Sequence, residues 1–286
     1  MEGIKRYLVL FLVCFVIASC SNQVEKINQW KEYELKGKVE TLKTCTYSAS
    51  EKFGEIVKDT LIEIKIVYFN KNGLIDSVFR VKNNKQNVEL YEWNLENNIC
   101  VIKEKEDNAT YAEVQYNKQF NRLLSWVNYQ NDSLKSKQIY IYNEKLQLID
   151  YSYYDETGKL YWRYKDYEYN EQGLLKSEKQ YDEKGNLDDK HLYQYDEKGN
   201  MIAQKWENDY RRSKFSFFYN EDGFVYRRTY NYKSKRSDYS FIDITEYTYV
   251  MDKKGNYIVK TEKEYDENDR SEVECKYIER EITYFN

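Results

Sequence analysis

The chain has 286 residues and a formal net charge of −4, with 45 Lys and Arg residues against 49 Asp and Glu residues. This mild acidity argues against binding to a phosphate backbone, so no nucleic-acid partner is expected. The chain has no proline and 32 tyrosines. This composition favours β-strands, because nothing interrupts a hydrogen-bonded ladder and tyrosine suits half-exposed strand positions.

The N-terminus has the features of a bacterial lipoprotein signal. Two basic residues precede an apolar run over residues 7–18, which is too short to span a bilayer. Residues 17–20 read Ile-Ala-Ser-Cys and resemble a lipobox. The resemblance implies cleavage after residue 19 and lipidation of Cys20, with an ordinary signal peptide as the alternative. Ser21 is not the Asp that retains lipoproteins at the inner membrane of enteric bacteria, so we expect an outer-membrane lipoprotein of the cell envelope.

These features divide the chain into three predicted parts. Residues 1–19 are the signal peptide. Residues 20–34 comprise the lipidated Cys and a polar tether. Residues 35–286 form a β-repeat domain, whose length suits a single repeat array. Within it, the sequence around residues 53–54 predicts the first hairpin of the array.

A short phrase recurs through the third part: an aromatic residue, Asp or Asn, two polar residues, Gly, any residue and an aliphatic residue. The clearest copies begin at Tyr154, Tyr169, Tyr181 and Tyr195. Asp-Glu-Lys-Gly is typical of a type I turn closed by a glycine bulge, because Asp accepts backbone N–H bonds and Gly takes the left-handed conformation without steric cost. The predicted structural turn glycines are Gly73, Gly158, Gly173, Gly185, Gly199, Gly223 and Gly255.

Three copies of the phrase lack the glycine. Asn97 and Asp269 stand at the glycine position of two copies and tolerate the left-handed region, whereas Leu146 in a third copy departs from the rule. In this kind of turn the residue before the Asp faces the residue two past the Gly. The predicted pairs are Phe69–Ile75, Trp93–Ile99, Tyr142–Leu148, Tyr154–Leu160, Tyr169–Leu175, Tyr181–Leu187, Tyr195–Met201, Tyr219–Val225 and Met251–Tyr257.

Strand parity predicts which side chains share a face of the sheet. Counting in twos from the anchors, Ser177, Lys179, Asp189 and His191 share the face of the aromatic anchors, provided that a bulge near residues 164–166 restores the register. A dry core does not accept such side chains unpaired. We therefore expect a wide, curved sheet with both faces partly wet.

The repeats resemble the YD repeats of Rhs-type proteins, as in Tyr181-Asp182 followed by Gly185 and Tyr195-Asp196 followed by Gly199. The resemblance runs from about residue 35 to the C-terminus and is clearest over residues 142–201. It implies an all-β fold, an antiparallel β-hairpin repeat array forming one curved or spiralling Rhs-like sheet, in a lipoprotein of the Bacteroidetes type. MORN-type repeats are the alternative, but their Gly-x-x-Tyr-x-Gly rhythm is missing.

The sequence offers little for catalysis. His191 is the single histidine, and with no nucleophile placed beside it we interpret it as a solvated strand residue. Cys45, Cys100 and Cys275 are an odd number once Cys20 is lipidated, and no Cys-x-x-Cys spacing suggests zinc. No phosphate loop or dinucleotide fingerprint occurs. We expect no enzyme activity, no metal and no cofactor.

Aromatic density gives the one positive indication of function. Flat aromatic faces can stack on sugar rings or on partner side chains, although cross-strand packing is the alternative interpretation. The sequence predicts a lipid-anchored, non-enzymatic binding or structural module with a membrane anchor and a glycan or protein partner. The alternatives are a glycan-binding surface lipoprotein and an immunity or accessory protein for a toxin. The candidate ligand-stacking aromatics are Trp162, Tyr164, Tyr167, Trp206 and Tyr210.

Overall fold

The computed structural model describes residues 28–105, 110–119, 121–131, 133–269 and 273–286. The predicted signal peptide and Cys20 lie outside these ranges. Within them the chain forms one 3-10 helix, Lys31–Tyr33, and 18 strands. The strands are β1 (Val39–Lys52), β2 (Glu55–Phe69), β3 (Ile75–Lys82), β4 (Lys85–Asn94), β5 (Ile99–Glu104), β6 (Thr110–Tyr116), β7 (Leu123–Gln130), β8 (Ser133–Tyr142), β9 (Leu148–Tyr154), β10 (Leu160–Tyr169), β11 (Leu175–Asp182), β12 (Leu187–Tyr195), β13 (Met201–Glu207), β14 (Arg211–Tyr219), β15 (Val225–Ser234), β16 (Ser240–Met251), β17 (Tyr257–Asp266) and β18 (Val273–Tyr284).

The strands close into an antiparallel barrel. Each strand pairs with the next in the chain, and β1 pairs with both β2 and β18. The seam between β1 and β18 is long, running from Val39 opposite Tyr284 to Ala49 opposite Cys275. The all-β hairpin array is therefore confirmed, whereas the expected open or spiralling sheet is wrong. Closure satisfies the backbone groups of the two edge strands, which an open sheet would leave unpaired.

The barrel is not collapsed into a sandwich. Among the described residues, the ring contacts and ion pairs between strands join strands that are no more than two places apart in the ring, and none crosses to the opposite wall. A circular barrel of this strand number, with strands tilted by about 40°, has a backbone diameter of roughly 35 Å. The wall therefore encloses a lumen with room for a ligand.

The hairpin registers follow the repeat. Eight of the nine predicted pairs are present, including Tyr195 opposite Met201 and Tyr219 opposite Val225. The exception is Trp93, which lies opposite Cys100, while Asn94 lies opposite Ile99. The left-handed residue of this turn is Asn98, with φ 57°, and not Asn97 as predicted. Two adjacent asparagines can both adopt this conformation, so the turn moves by one residue.

The turns have the expected chemistry. At Asp182, the carboxylate accepts hydrogen bonds from the backbone N–H groups of Lys184 at 2.9 Å and Asn186 at 2.8 Å. The hydrogen bond from the Asn186 side chain is the largest of the contacts that lower the pKa of Asp182. The seven predicted turn glycines have φ between 77° and 86°, and Leu146 occupies the same place in its turn with φ 59°.

Bulges decide which side chains share a face, and they overturn part of the parity prediction. Lys179 lies opposite Lys190 and Glu178 lies opposite His191, and residues directly opposite each other share a face. The register shifts at the hairpin between β11 and β12, which puts two residues of β12 opposite one of β11. His191 and Asp189 therefore lie on the face of Glu178, whereas Ser177 and Lys179 lie on the other.

A second bulge, in β10, is where the sequence requires one. The register shifts between Lys165 and Glu168, and Asp166 has φ 56°. The bulge expected near residues 164–166 is confirmed. Because such shifts recur, the aromatic anchors do not all lie on one face of the sheet. Tyr154 lies opposite Lys137 and Tyr181 lies opposite Arg163, and both anchors are on the face of Lys179.

The N-terminal segment, residues 28–38, shows which face is the lumen. The N–H of Gln29 donates to Gly73 O at 2.9 Å in the turn after β2, and the N–H of Lys36 donates to Asn256 Oδ1 at 2.6 Å in the turn after β16. Between them, Tyr33 O accepts a hydrogen bond from Arg280 on β18 at 3.3 Å. The path between these two turns is shorter across the concave side than around the convex side, so we assign the face that the segment covers to the lumen.

The same segment builds the main core of the protein. Trp30 and Leu35 pack with Leu42, Val67 and Phe69, so these strand residues face the lumen. A second cluster of the same face contains Cys100, Ile102 and Val114. Desolvation by the surrounding wall raises the pKa of the Glu32 carboxyl to about 7, although the residue itself is exposed to solvent. We call this end of the barrel, at the turns of residues 70–74 and 252–256, the plugged end.

Aromatic side chains near the ends of four even-numbered strands link successive turns at the plugged end. Three are anchors of the repeat, and Tyr249 lies two residues before the anchor Met251. Each of the four side chains donates a hydrogen bond from its ring nitrogen or hydroxyl to the first carbonyl of the preceding strand. The four bonds join Trp93 to Ile75 at 2.7 Å, Tyr169 to Leu148 at 2.6 Å, Tyr219 to Met201 at 2.8 Å and Tyr249 to Val225 at 2.9 Å. At the anchors Tyr169 and Tyr219, this bond gives the hydroxyl a role that phenylalanine could not fill.

Replacing Leu146 with Gly should stabilise the barrel. Leu146 is half-buried and holds a left-handed conformation that costs a side-chain-bearing residue about 1–2 kcal/mol, only part of which the greater freedom of unfolded Gly offsets. We expect the free energy of unfolding to rise by about 0.5–1 kcal/mol in denaturant titrations. The matched control, Gly173→Leu, places the same side chain in an equivalent turn and should lower the free energy of unfolding. A lower free energy of unfolding for Leu146→Gly would contradict backbone strain at this position.

Removing one anchor hydroxyl should destabilise the barrel without removing a ring. In Tyr169→Phe the Leu148 carbonyl loses its partner in a half-buried place, and we expect a loss of about 1 kcal/mol of unfolding free energy. Tyr161→Phe is the control, because Tyr161 is 56% exposed. Equal melting temperatures for the two variants would show that the anchor bonds do not stabilise the plugged end.

Candidate binding surface in the barrel lumen

The lumen face of β8, β9 and β10 carries a group of stacked rings, the first aromatic wing. Tyr140 and Tyr151 stack with ring centroids 4.6 Å apart and planes at 11°. Tyr153 and Trp162 stack at 5.1 Å, also at 11°. Trp162 meets Tyr164 edge-on at 5.3 Å, which joins the two stacks into one surface.

The lumen face of β13 to β16 carries a second aromatic wing. Trp206 meets Phe215 edge-on at 5.1 Å, and Phe215 stacks on Tyr230 at 4.6 Å. The wing continues through Phe241, which lies 5.7 Å from Tyr230 and stacks on Tyr232 at 5.2 Å. Each contact joins residues of neighbouring strands or of the same strand, so the wing follows the wall around the lumen.

Between the wings lies a polar centre on β11 and β12, formed by Glu178, Gln180, Asp189 and His191. The His191 ring lies 5.3 Å from Tyr164 of the first wing and 6.0 Å from Trp206 of the second. Its Nδ1 lies 3.3 Å from Glu178 Oε1, and its side chain is only 12% exposed. His191 is therefore a packed residue joining two aromatic surfaces, and the prediction of a solvated strand residue is wrong.

Polar atoms of the centre and its neighbours are buried without a partner. Trp206 Nε1 is an unsatisfied donor and Asp189 Oδ1 is an unsatisfied acceptor, and Arg211 Nε, next to Asp189, is also unsatisfied. Asp189 is 6% exposed, and its other oxygen has only long contacts of 3.4 Å with Asn208 Nδ2 and Arg211 Nη2. Buried polar groups are nearly always hydrogen-bonded in native proteins, so these unpaired atoms need an explanation.

The tyrosine hydroxyls of the lumen remain neutral donors. Burial raises the pKa of Tyr151 to about 12, and burial with the nearby carboxylate of Glu178 raises the pKa of Tyr164. Tyr164 donates to Gln180 Oε1 at 2.8 Å, and Tyr193 donates to Glu178 Oε1 at 2.6 Å. The wings thus present apolar ring faces, whereas the centre presents amide and carboxylate groups held by these hydroxyls.

The structure brings together three of the five predicted stacking aromatics. Trp162 and Tyr164 belong to the first wing and Trp206 belongs to the second. Tyr167 lies on the lumen face beside Glu178, where burial and the carboxylate raise its pKa. Tyr210 lies apart, in the turn between β13 and β14, with the guanidinium of Arg236 3.6 Å from its ring centroid. The rings that sequence analysis missed are Tyr140, Tyr151, Tyr153, Phe215, Tyr230, Tyr232 and Phe241.

The outer face of the barrel is charged around the ring. Ion pairs link Lys43 to Glu281 at 2.9 Å, Lys103 to Glu92 at 2.8 Å, Lys263 to Glu51 at 2.7 Å and Lys179 to Asp166 at 3.1 Å. Some large apolar side chains are also exposed on this face: the Phe218 ring lies 6.4 Å from that of Tyr226, and Val250 lies opposite Val259. The outer face thus carries ion pairs around the ring with some apolar side chains among them, in contrast to the aromatic lumen.

Few groups suited to metal or redox chemistry converge in the described part of the chain. No cluster of three or more His, Cys, Asp or Glu side chains there could hold a metal ion. Cys45, Cys100 and Cys275 are free thiols, and burial raises the pKa of Cys100 to about 12. Over the same ranges, none of the helices has the length and apolarity to cross a membrane.

Comparison with known proteins gives distant structural similarities. No protein-family model matches the chain. No curated protein matches it either. A porin-like protein from Bacteroides uniformis is similar over 87% of this chain and 98% of its own, with 10% identity and a TM-score of 0.44. The Tc holotoxin pore of Photorhabdus luminescens is similar over 76% of this chain and 15% of its own, with 9% identity and a TM-score of 0.30. Neither similarity is close enough to carry a functional conclusion.

Proposed function

We propose that this protein is a lipid-anchored, non-enzymatic binding protein of the bacterial cell envelope, attached to the outer membrane through Cys20. Its binding surface is the aromatic lumen of the barrel, and binding requires no cofactor. The observation that carries the proposal is the continuous series of rings across the lumen faces of neighbouring strands, with unpaired polar atoms at its centre.

The rings are accessible to a ligand because the opposite wall does not cover them. In the described part of the chain, the rings of both wings contact residues of their own strand or of strands no more than two away, and none contacts the opposite wall. Aromatic side chains that only stabilised the wall could lie on either face, but here the stacked wings lie on the concave one. Concave apolar surfaces with a few convergent polar groups are the usual form of ligand sites.

The charged outer face supports attachment by a lipid instead of by the wall. A barrel within a bilayer needs an outward apolar band about 25 Å tall. Here ion pairs such as Lys103–Glu92 and Lys43–Glu281 lie within the strands of the outer face. We therefore place the barrel in water beside the membrane, with the lipidated Cys20 as its anchor.

The anchor is tested by replacing Cys20 with Ala. We expect the variant to lose metabolic labelling with a fatty acid and to leave the membrane fraction, because a thiol is required for lipid attachment. Ser21→Ala is the control and should retain both properties. Labelling of the Cys20→Ala protein equal to that of the wild type would overturn the anchoring.

Lumen binding is tested by comparing Phe215 and Phe218, which lie on one strand and point to opposite faces. In hydroxyl-radical footprinting, Phe215 and Tyr230 should be less oxidised in intact envelopes than in purified protein, whereas Phe218 should not change. Phe215→Ala should reduce the protection of Tyr230 and Phe218→Ala should leave it intact, with melting curves recorded for both. Equal oxidation of the lumen rings in envelopes and in purified protein would contradict binding.

A further inference from the structure

We propose that the lumen binds a neutral oligosaccharide, with one sugar at the polar centre and its neighbours stacked on the two aromatic wings. This inference rests on the proposed function and names the chemistry of its ligand. Three observations carry it: the unpaired donor and acceptor, the arrangement of the rings, and the charge balance of the polar centre.

The unpaired atoms suit a group that donates and accepts at once. Trp206 lies directly opposite His191, and Asp189 is two residues further along the same strand. Residues in this diagonal relation are roughly 7–8 Å apart and reach a common ligand with long side chains. A sugar carries hydroxyls on opposite edges of its ring. Both atoms are covered by neighbouring groups, and rotation of the two side chains towards the lumen would let one hydroxyl accept from Trp206 Nε1 while another donates to Asp189 Oδ1.

The rings suit the other surface of a sugar. A pyranose presents C–H groups on its flat faces, and aromatic rings carry partial negative charge on theirs, so the two stack. The polar centre has such rings on both sides, Tyr164 at 5.3 Å and Trp206 at 6.0 Å from His191. Because each wing extends over several strands beyond these two rings, the lumen accommodates several linked sugars instead of one.

The charges favour a neutral ligand. Glu178 already interacts with His191 and Tyr193, and Asp189 has Asn208 and Arg211 beside its second oxygen. These partners offset the negative charge of the two carboxylates, so a cationic ligand is not required. A polyanion would bring like charge to two carboxylates and is disfavoured. A hydrocarbon chain would leave Trp206 Nε1 and Asp189 Oδ1 unpaired, which lowers affinity.

The test is isothermal titration calorimetry with defined probes. The mature protein is extracted in lauryldimethylamine oxide, a detergent without sugar, and titrated with neutral linear hexasaccharides of glucose, mannose and xylose. Hexagalacturonate serves as the anionic probe and hexaalanine as the peptide probe. We expect saturable binding of at least one neutral hexasaccharide, and weaker or no binding of the other two probes.

Two conservative variants test the centre. Trp206→Phe keeps a ring and removes the N–H, and Asp189→Asn keeps the shape and removes the charge. We expect Trp206→Phe to weaken hexasaccharide binding by about tenfold, the effect of one lost hydrogen bond. Asp189→Asn should weaken it less, because the amide oxygen still accepts a hydrogen bond but carries no charge. Phe218→Ala on the outer face should bind as the wild type does. Melting curves of all variants establish that the barrel remains folded.

The outcomes separate this inference from the proposed function. If the lumen rings are protected in envelopes but no neutral hexasaccharide binds, the oligosaccharide inference is overturned and the lumen still binds something else. Tighter binding of hexaalanine or hexagalacturonate would also overturn it. Hexasaccharide binding that is unchanged in both Trp206→Phe and Asp189→Asn would place the sugar elsewhere on the protein and overturn the assignment to the polar centre.

Discussion

The pairing of β1 with β18 is the constraint on which the rest of the structure depends. It brings together the two ends of a chain whose other strand pairs are all sequential neighbours. Without it, the sheet would have two edges, no inside and no outside. With it, one face becomes concave and the rings on that face converge. The N-terminal segment strengthens the same seam, since the N–H of Phe285 donates to Lys38 O at 2.9 Å.

The repeated turn has two effects that are separable in physical terms. Its left-handed residue reverses the chain, and its bulge changes the parity of the strand that follows. The second effect sends Asp189 and His191 into the lumen while Lys179 and Lys190 point outward. The distinction between a charged outer face and an aromatic inner face therefore depends on the bulges as well as on the strand pattern.

The sequence predicts the local features of the fold well, because each hairpin register depends on a few adjacent residues. Tyr195 and Met201 are opposite each other as the turn requires. The failure at Trp93 is also local, since Asn97 and Asn98 are equally suited to the left-handed conformation and only one adopts it. Closure could not be predicted in this way, because β1 and β18 are joined by no turn and share no periodic signal.

The candidate site was predicted only in part for the same reason. Trp162, Tyr164 and Trp206 were found because aromatic residues are dense along the chain around them. Phe215 and Tyr230 were missed because they meet only through the register of two strands. Counting back from the predicted Tyr219–Val225 pair puts Phe215 opposite Thr229, because a bulge beside Tyr219 shifts the register by one residue, so the repeat alone does not identify this pair.

An antiparallel seam also restricts how such a barrel can change in size during evolution. In a closed ring where every neighbour is antiparallel, the number of strands must be even, because one added strand would make β1 and β18 run in the same direction. Gains and losses of strands must therefore come in twos. Two strands with their two turns make one repeat unit of the barrel. Each such step changes the circumference by about 10 Å or slightly more with strand tilt. Duplication of a repeat unit would thus widen the lumen in discrete steps while leaving the seam and the plugged end unchanged.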